Sequence, residues 1–225
     1  MKINIFLIIF LFLILIPLSI QAMPCHCFSA RDFDLKKPEA ADQYFLATSQ
    51  NSFFSVVFNI EKKRVVFAKQ KPNSTAEGLW VLYWLSLTTG KDTDILNQMK
   101  KEKGVWLDAL AEAKVENTLP TSFKEMLQWN ANEKQLAQYI VDTFLVGKGL
   151  TTQDVLQTLR NEGASNEETI LASLLAKKTD SQPLDILTSV LKGETTWGTL
   201  LYTSGMDGKN MVEEIHTLLK TCSKT

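Results

Sequence analysis

Apolar side chains recur at three- and four-residue spacing along most of the chain after Asp42. This spacing places them on one face of an α-helix, because a helix completes a turn in about 3.6 residues. Clear examples are Leu79, Trp80, Leu82, Tyr83 and Leu85, then Leu136, Tyr139, Ile140 and Phe144, then Ile170, Leu171, Leu174 and Leu175. The pattern predicts an all-α protein, arranged as a helical repeat or an orthogonal bundle.

Residues that end and begin helices lie between these segments. Helix-ending glycines occur at Gly90, Gly104, Gly163, Gly193 and Gly205. Ser165 is followed three residues later by Glu168, which predicts a reciprocal capping box at a helix start. The one segment that could instead be a strand is 53–67, which is rich in Phe and Val. We favour a helix there because of the repeat described next.

The chain resembles itself when it is shifted by 90 or 91 residues. At 90, the residues Leu46, Phe54, Val65, Glu77 and Leu85 fall on Leu136, Phe144, Val155, Glu167 and Leu175. At 91, the residues Asp94, Ile95, Leu96, Trp106 and Leu110 fall on Asp185, Ile186, Leu187, Trp197 and Leu201. We interpret this as an internal duplication, although helices of similar length can also match by chance.

The repeat suggests a division of the chain into five parts. Residues 1–22 form a signal peptide, and 23–42 an extended polar N-terminal arm. The first helical copy spans 43–115, and the second copy with a C-terminal helix spans 133–225. Residues 116–132 form a linker that contains a short helix from Ser122 to Trp129.

The N-terminus has the three parts of a secretory signal peptide. Lys2 precedes an uninterrupted apolar run from Ile5 to Ile16, and Pro17 ends that run before a small residue, Ala22. We expect cleavage after Ala22 and export to the periplasm or the extracellular space. An uncleaved membrane anchor is the alternative. A lipoprotein acylated at Cys25 is a third interpretation, which Pro24 disfavours.

Composition narrows the functional classes. The 225 residues include 24 Lys and Arg against 25 Asp and Glu, and 45% are hydrophobic. Binding to nucleic acid depends on clustered cations, so we expect no nucleic-acid partner. After Ala22 no stretch is long and apolar enough to cross a bilayer, so we expect no membrane association once the signal is removed.

Motifs for catalysis are absent from the sequence. There is no Gly-x-Ser-x-Gly elbow, phosphate-binding glycine loop or His-Glu-x-x-His. A catalytic triad would have to use His26 or His216, and neither has a nucleophile motif nearby. An enzyme is therefore the less favoured interpretation.

Every cysteine and histidine lies near one end of the chain: Cys25, His26, Cys27, His216 and Cys222. If the two ends meet, thiolates and imidazoles could bind zinc or copper. We favour a structural disulfide that joins Cys25 or Cys27 to Cys222, because cysteines outside the cytoplasm tend to oxidise.

Two further patterns are interpreted as structural. Glu213 and His216 have the spacing of a carboxylate-histidine metal motif, but no second copy of the motif exists, so we expect an exposed polar face. The five tryptophans could form a stacking platform for a ligand; at helical spacing we expect them in the core. These tryptophans are Trp80, Trp84, Trp106, Trp129 and Trp197.

The sequence thus predicts an exported helical protein that acts by binding or by structural interaction. Its partner is an unknown protein or a small apolar ligand, and a binding role predicts an apolar groove between the two copies. The alternative is a redox or soft-metal-handling protein that uses Cys25, His26 and Cys27.

Overall fold

The computed structural model of the protein describes residues 28–222, and within that range all regular structure is helical. The helices are α1 (Asp42–Val57), α2 (Lys62–Lys69), α3 (Ala76–Thr89), α4 (Thr93–Lys103), α5 (Trp106–Glu112), α6 (Thr121–Gln128), α7 (Glu133–Gly147), α8 (Gln153–Asn161), α9 (Asn166–Thr179), α10 (Pro183–Leu191), α11 (Trp197–Thr203) and α12 (Met211–Cys222). A short 3-10 turn, Glu116–Thr118, follows α5. The predicted all-α class is confirmed, and 53–67 contains the end of α1, a short connection and most of α2 rather than a strand.

Side-chain caps define several helix starts. The hydroxyl of Ser165 accepts from the backbone N–H of Glu168, and the carboxylate of Glu168 accepts from the backbone N–H of Ser165, so the predicted capping box is present. Asn132 and Gln135 form a second box at the start of α7. These bonds pair backbone donors that have no partner inside the helix.

Two helices, α1 and α9, lie at the centre and pack against each other. Both are buried over most of their length, including polar residues such as Ser49 and Ser173. The hydroxyls of these serines donate to the carbonyls of Phe45 and Thr169, one turn earlier in their own helices. Because that pairing satisfies them internally, small polar residues can occupy the interface between the two central helices.

The other helices are arranged reciprocally around the first long helix of each half, α1 and α7. Helix α3 packs on α7, and α9 packs on α1. In the same way α6 packs on α7, and α12 packs on α1. Each half of the chain therefore supplies helices that cover the first long helix of the other half.

A polar cluster lies where the central helices meet α2. Lys69 donates to the side chain of the buried Gln50 at 2.8 Å. Burial raises the pKa of nearby Glu167, although the positive charge of Lys69 opposes that shift. A second polar contact joins α7 and α8, where Arg160 lies 2.6 Å from Asp142 with both side chains largely buried.

The arm before α1 differs from its predicted extended form. Residues 35–41 fold into successive turns, in which the backbone N–H of Lys37 donates to the carbonyl of Asp34 and that of Ala40 donates to Lys37. Within residues 28–222, the helices are all too short or too polar to cross a bilayer.

Candidate binding groove

A groove of about 360 Å³ lies between the N-terminal arm, α1, α11 and the turn that follows α11. Its lining residues are Arg31, Asp32, Phe33, Phe45, Gly198, Leu201, Tyr202, Gly205, Met206, Asp207, Gly208 and Lys209. Phe45 belongs to the first half of the chain, whereas α11 and the turn belong to the second. The groove therefore joins the two halves, and the arm forms one of its walls.

Phe45 lies between two close-packed glycines at the base of the groove. A Cβ placed on Gly198 would lie 3.3 Å from the ring of Phe45, and one placed on Gly208 would lie 3.0 Å from the same ring. Both glycines are buried. The absence of side chains at these two positions lets α11 and the following turn approach α1 closely.

The start of α11 is held on α1 by a carboxylate. Asp42 accepts hydrogen bonds from the backbone N–H of Gly198 at 2.8 Å and of Trp197 at 3.3 Å. Burial raises the pKa of Asp42 above its ordinary value, while the two backbone donors oppose that rise. This acid thereby pairs donors at the helix start that would otherwise lack partners.

The arm contacts the same helix start. The hydroxyl of Thr196 donates to the carbonyl of Pro38 at 3.3 Å. A Cβ on Gly198 would lie only 2.6 Å from that carbonyl oxygen and 3.0 Å from the ring of Phe33. The arm can follow this path only because residue 198 is a glycine.

Further along the arm, an aromatic stack and an ion pair connect it to the far wall. The rings of Phe33 and Tyr202 stack with centroids 4.8 Å apart, and Tyr202 is 61% exposed. The ammonium of Lys209 lies 2.9 Å from the carboxylate of Asp32. Asp32 belongs to the arm and Lys209 to the turn after α11, so this pair joins two walls of the groove.

The walls are chemically suited to holding an apolar, flat molecule. Three aromatic rings, a leucine and a methionine supply apolar surface, and the charged residues at the rim are two cations and two carboxylates. The carboxylate of Asp207 accepts from the backbone N–H of Lys209 and from the side chain of Asn210. The four rim charges sum to zero, so the rim has no net charge to attract an ion.

A smaller cleft of about 180 Å³ lies at the start of α5, the helix that begins 91 residues before α11. It is lined by Trp106, Leu107 and residues near the start of α7. Leu107 stands at the position that Gly198 occupies in α11. Lys100 lies 5.8 Å from the centre of the Trp106 ring and 3.9 Å from Glu133.

The residues that the sequence singled out for metal or disulfide chemistry are not brought together in the part of the chain that the structure describes. Cys25, His26 and Cys27 lie outside the described residues, as does the side chain of Cys222. His216 is exposed on α12 together with Glu213, which confirms the expected exposed face. Within residues 28–222, His, Cys, Asp and Glu side chains form no group of three that could hold a metal ion.

The tryptophan prediction holds at four of five positions. Trp80, Trp84, Trp106 and Trp197 are buried. The prediction is wrong for Trp129, which is 77% exposed. Trp129 follows Leu127 by two residues, about 200° around the helix, so it faces away from the side that buries Phe123 and Leu127.

Sequence reasoning missed the residues that form the groove, in particular Phe33, Phe45, Gly198 and Tyr202. One signal was present in the repeat itself. The two tryptophans match at a shift of 91, but the residue after each differs, Leu107 in one case and Gly198 in the other. A glycine that interrupts a matched pair of helix starts indicates close backbone approach.

Comparison of the chain with protein-family models, with curated protein sequences and with solved structures finds no match. A function for this protein therefore depends on the geometry of its own groove.

Proposed function

We propose that this protein is an exported binding protein that holds a small, uncharged, flat apolar molecule in the groove beneath its N-terminal arm. The observation that carries the proposal is an apolar, ring-lined groove between the two halves of the chain, bridged by the arm. Its volume of about 360 Å³ falls within the range of roughly 300–1,000 Å³ that is usual for small-ligand sites.

The proposal includes an internal duplication, which the positions of the helices support. Helices α3 and α9 span Ala76–Thr89 and Asn166–Thr179, a shift of 90. Helices α5 and α11 span Trp106–Glu112 and Trp197–Thr203, a shift of 91. The reciprocal packing of the two halves is consistent with this origin. The groove has no equal in the other half, because only the first half is preceded by the arm.

Export rests on the N-terminal sequence. Cleavage after Ala22 would leave Cys25 and Cys27 close to the new N-terminus, at the start of the arm. Intact-mass analysis of protein from its native host should show loss of residues 1–22, and a full-length species would contradict export by this route. The disulfide between Cys25 or Cys27 and Cys222 stays a prediction, which non-reducing peptide mapping can test.

Binding can be tested with N-phenylnaphthylamine, an uncharged aromatic probe whose fluorescence rises in an apolar site. The wild-type protein should bind it saturably with one site. Tyr202→Ala should weaken binding about two- to twelvefold, because an aromatic contact contributes about 0.5–1.5 kcal/mol. Tyr202 is largely exposed, so this change should leave the fold intact.

Trp129→Ala is the matched control, because it removes another exposed aromatic side chain away from the groove. It should leave the affinity unchanged. Absence of saturable binding by the wild type, or equal weakening by both variants, would contradict the proposed site.

A further inference from the structure

We propose that residues 28–33 act as a gate over the groove, which opens by release of the ion pair between Lys209 and Asp32. This inference deepens the binding function proposed above and rests on it. The segment supplies three of the lining residues, Arg31, Asp32 and Phe33. A molecule in the groove would therefore contact this segment and lie beside the ion pair that joins it to the turn after α11.

The arm is held by two kinds of contact. At its inner end, Pro38 packs on Gly198 and accepts from Thr196, next to the buried bonds of Asp42. These contacts are enclosed and involve backbone atoms. They fix the place where the arm joins α1.

At the outer end the contacts are exposed. The side chains of Lys209 and Asp32 are 70% and 73% exposed. Such pairs contribute little to stability and are screened by salt. Phe33 stacks on the exposed Tyr202, and Phe28 meets Tyr44 edge-on at 6.1 Å. Phe33 is half-buried beside Gly198, so the exposed ion pair is the contact of this segment that is most easily released.

Between the two ends lies a turn that is closed by its own hydrogen bonds. Asp34 accepts from the backbone N–H of Lys36 through its side chain and from that of Lys37 through its carbonyl. Because these bonds lie within the turn, they can persist when residues 28–33 move. The turn thus provides a hinge between a fixed inner end and a releasable outer end.

The test measures opening in two ways. Stopped-flow mixing with N-phenylnaphthylamine gives the rates at which the probe enters and leaves the groove. Chymotryptic cleavage after Phe33, followed by mass spectrometry without any ligand, reports release of the segment directly. Both are measured at low and high salt.

The variants are Asp32→Lys, Lys209→Asp and the combined exchange. Each single change replaces attraction by repulsion and should speed probe entry, probe release and Phe33 cleavage roughly two- to fivefold. High salt should have a similar effect on the wild type. The combined exchange restores an ion pair and should return all three rates towards those of the wild type.

Lys63→Asp is the matched control, because Lys63 forms a pair with Glu61 at 3.0 Å that is exposed to a similar extent, 72% and 63%. It should change none of the rates. Rates that do not respond to salt or to the single changes would overturn the gate. If no variant binds the probe, the proposed binding function fails, while Phe33 cleavage still decides whether the segment is released as described.

Discussion

Two corners of the molecule, 91 residues apart in the chain, differ in whether another segment packs on the start of a helix. The difference follows from one residue, a glycine in one corner and a leucine in the other. In the Trp197 corner (Trp197, Gly198 and Asp42) the arm lies across the start of α11. In the Trp106 corner (Trp106, Leu107 and Glu133) a leucine occupies the position of the glycine. The first corner opens into a groove of about 360 Å³, and the second into a cleft of about 180 Å³.

The acidic residue in the first turn of the neighbouring long helix also differs in use. Asp42 bonds to the two backbone N–H groups at the start of α11. Glu133, at the same position of α7, accepts instead from the hydroxyl of Thr75 and lies near Lys100. The comparison shows that similar helices can be joined in two ways. Only at the start of α11, where residue 198 is a glycine, can the arm pack on the junction.

The largest expected effect is the loss of stability when the buried tryptophan of either corner is removed. Trp197 and Trp106 are 3% and 6% exposed, so replacing either by Ala removes a large buried ring. Each change should lower the free energy of unfolding by about 3–5 kcal/mol, measured by urea denaturation. Trp129→Ala should have almost no effect. A near-wild-type midpoint for Trp197→Ala would contradict its assignment as a packing anchor.

The next largest effect is specific to the Trp197 corner, where a side chain at position 198 would collide with the arm. Gly198→Ala would place a Cβ 2.6 Å from the carbonyl oxygen of Pro38, a backbone atom that cannot move aside without shifting the arm. We expect a loss of about 1–3 kcal/mol in stability and weaker probe binding. Gly147→Ala is the control, because a Cβ there would meet no described atom within 4 Å. It should be neutral or slightly stabilising; equal behaviour of the two variants would refute the close approach.

Removal of the hydrogen-bond acceptor at Asp42 should reduce the stability by an amount similar to that expected for Gly198→Ala. Asp42→Ala leaves the N–H groups of Trp197 and Gly198 without their acceptor, which should cost about 1–3 kcal/mol in the free energy of unfolding. Asp42→Asn keeps an acceptor oxygen and should cost less. If Asn proves as disruptive as Ala, the hydrogen bonds do not explain the effect.

The smallest effect is a dependence on pH. Because burial raises the pKa of Asp42, the folded protein binds this proton more tightly than the unfolded chain does. The contribution of Asp42 to stability is therefore greatest below the ordinary pKa of 3.8, and it decreases as pH rises through the folded value. The stability of the wild type, relative to Asp42→Asn, should decrease across that window; an increase would contradict the direction of the shift.

The fold was predictable to a large extent because its signals are local. Helical spacing and the cap at Ser165 depend on residues within a few positions of one another, and both predictions are confirmed. The predicted helix from Ser122 to Trp129 differs from the observed α6 by one residue at each end. The exposure of Trp129 follows from the helix period as well, because it lies two residues after the buried Leu127 and therefore on the opposite side of the helix.

The groove was not predictable in the same way, because its contacts join distant parts of the chain. Thr196 and Pro38 are 158 residues apart, and Gly198 and Asp42 are 156 apart. The pattern around Phe33 is polar, so spacing alone did not indicate which helix the arm packs on. The glycine at 198 indicates that another segment packs closely on the helix start, but the sequence does not identify that segment.

The central claim is that a small apolar molecule occupies the groove, and methionine-methyl NMR tests it most directly. Met206 lines the groove and is buried, whereas Met99 and Met126 lie on α4 and α6, away from it. Titration with N-phenylnaphthylamine should shift the Met206 methyl resonance saturably and leave those of Met99 and Met126 in place, with Met206→Leu confirming the assignment. A Met206 resonance that stays fixed while the probe binds elsewhere, or shifts of equal size at all three methionines, would contradict the account.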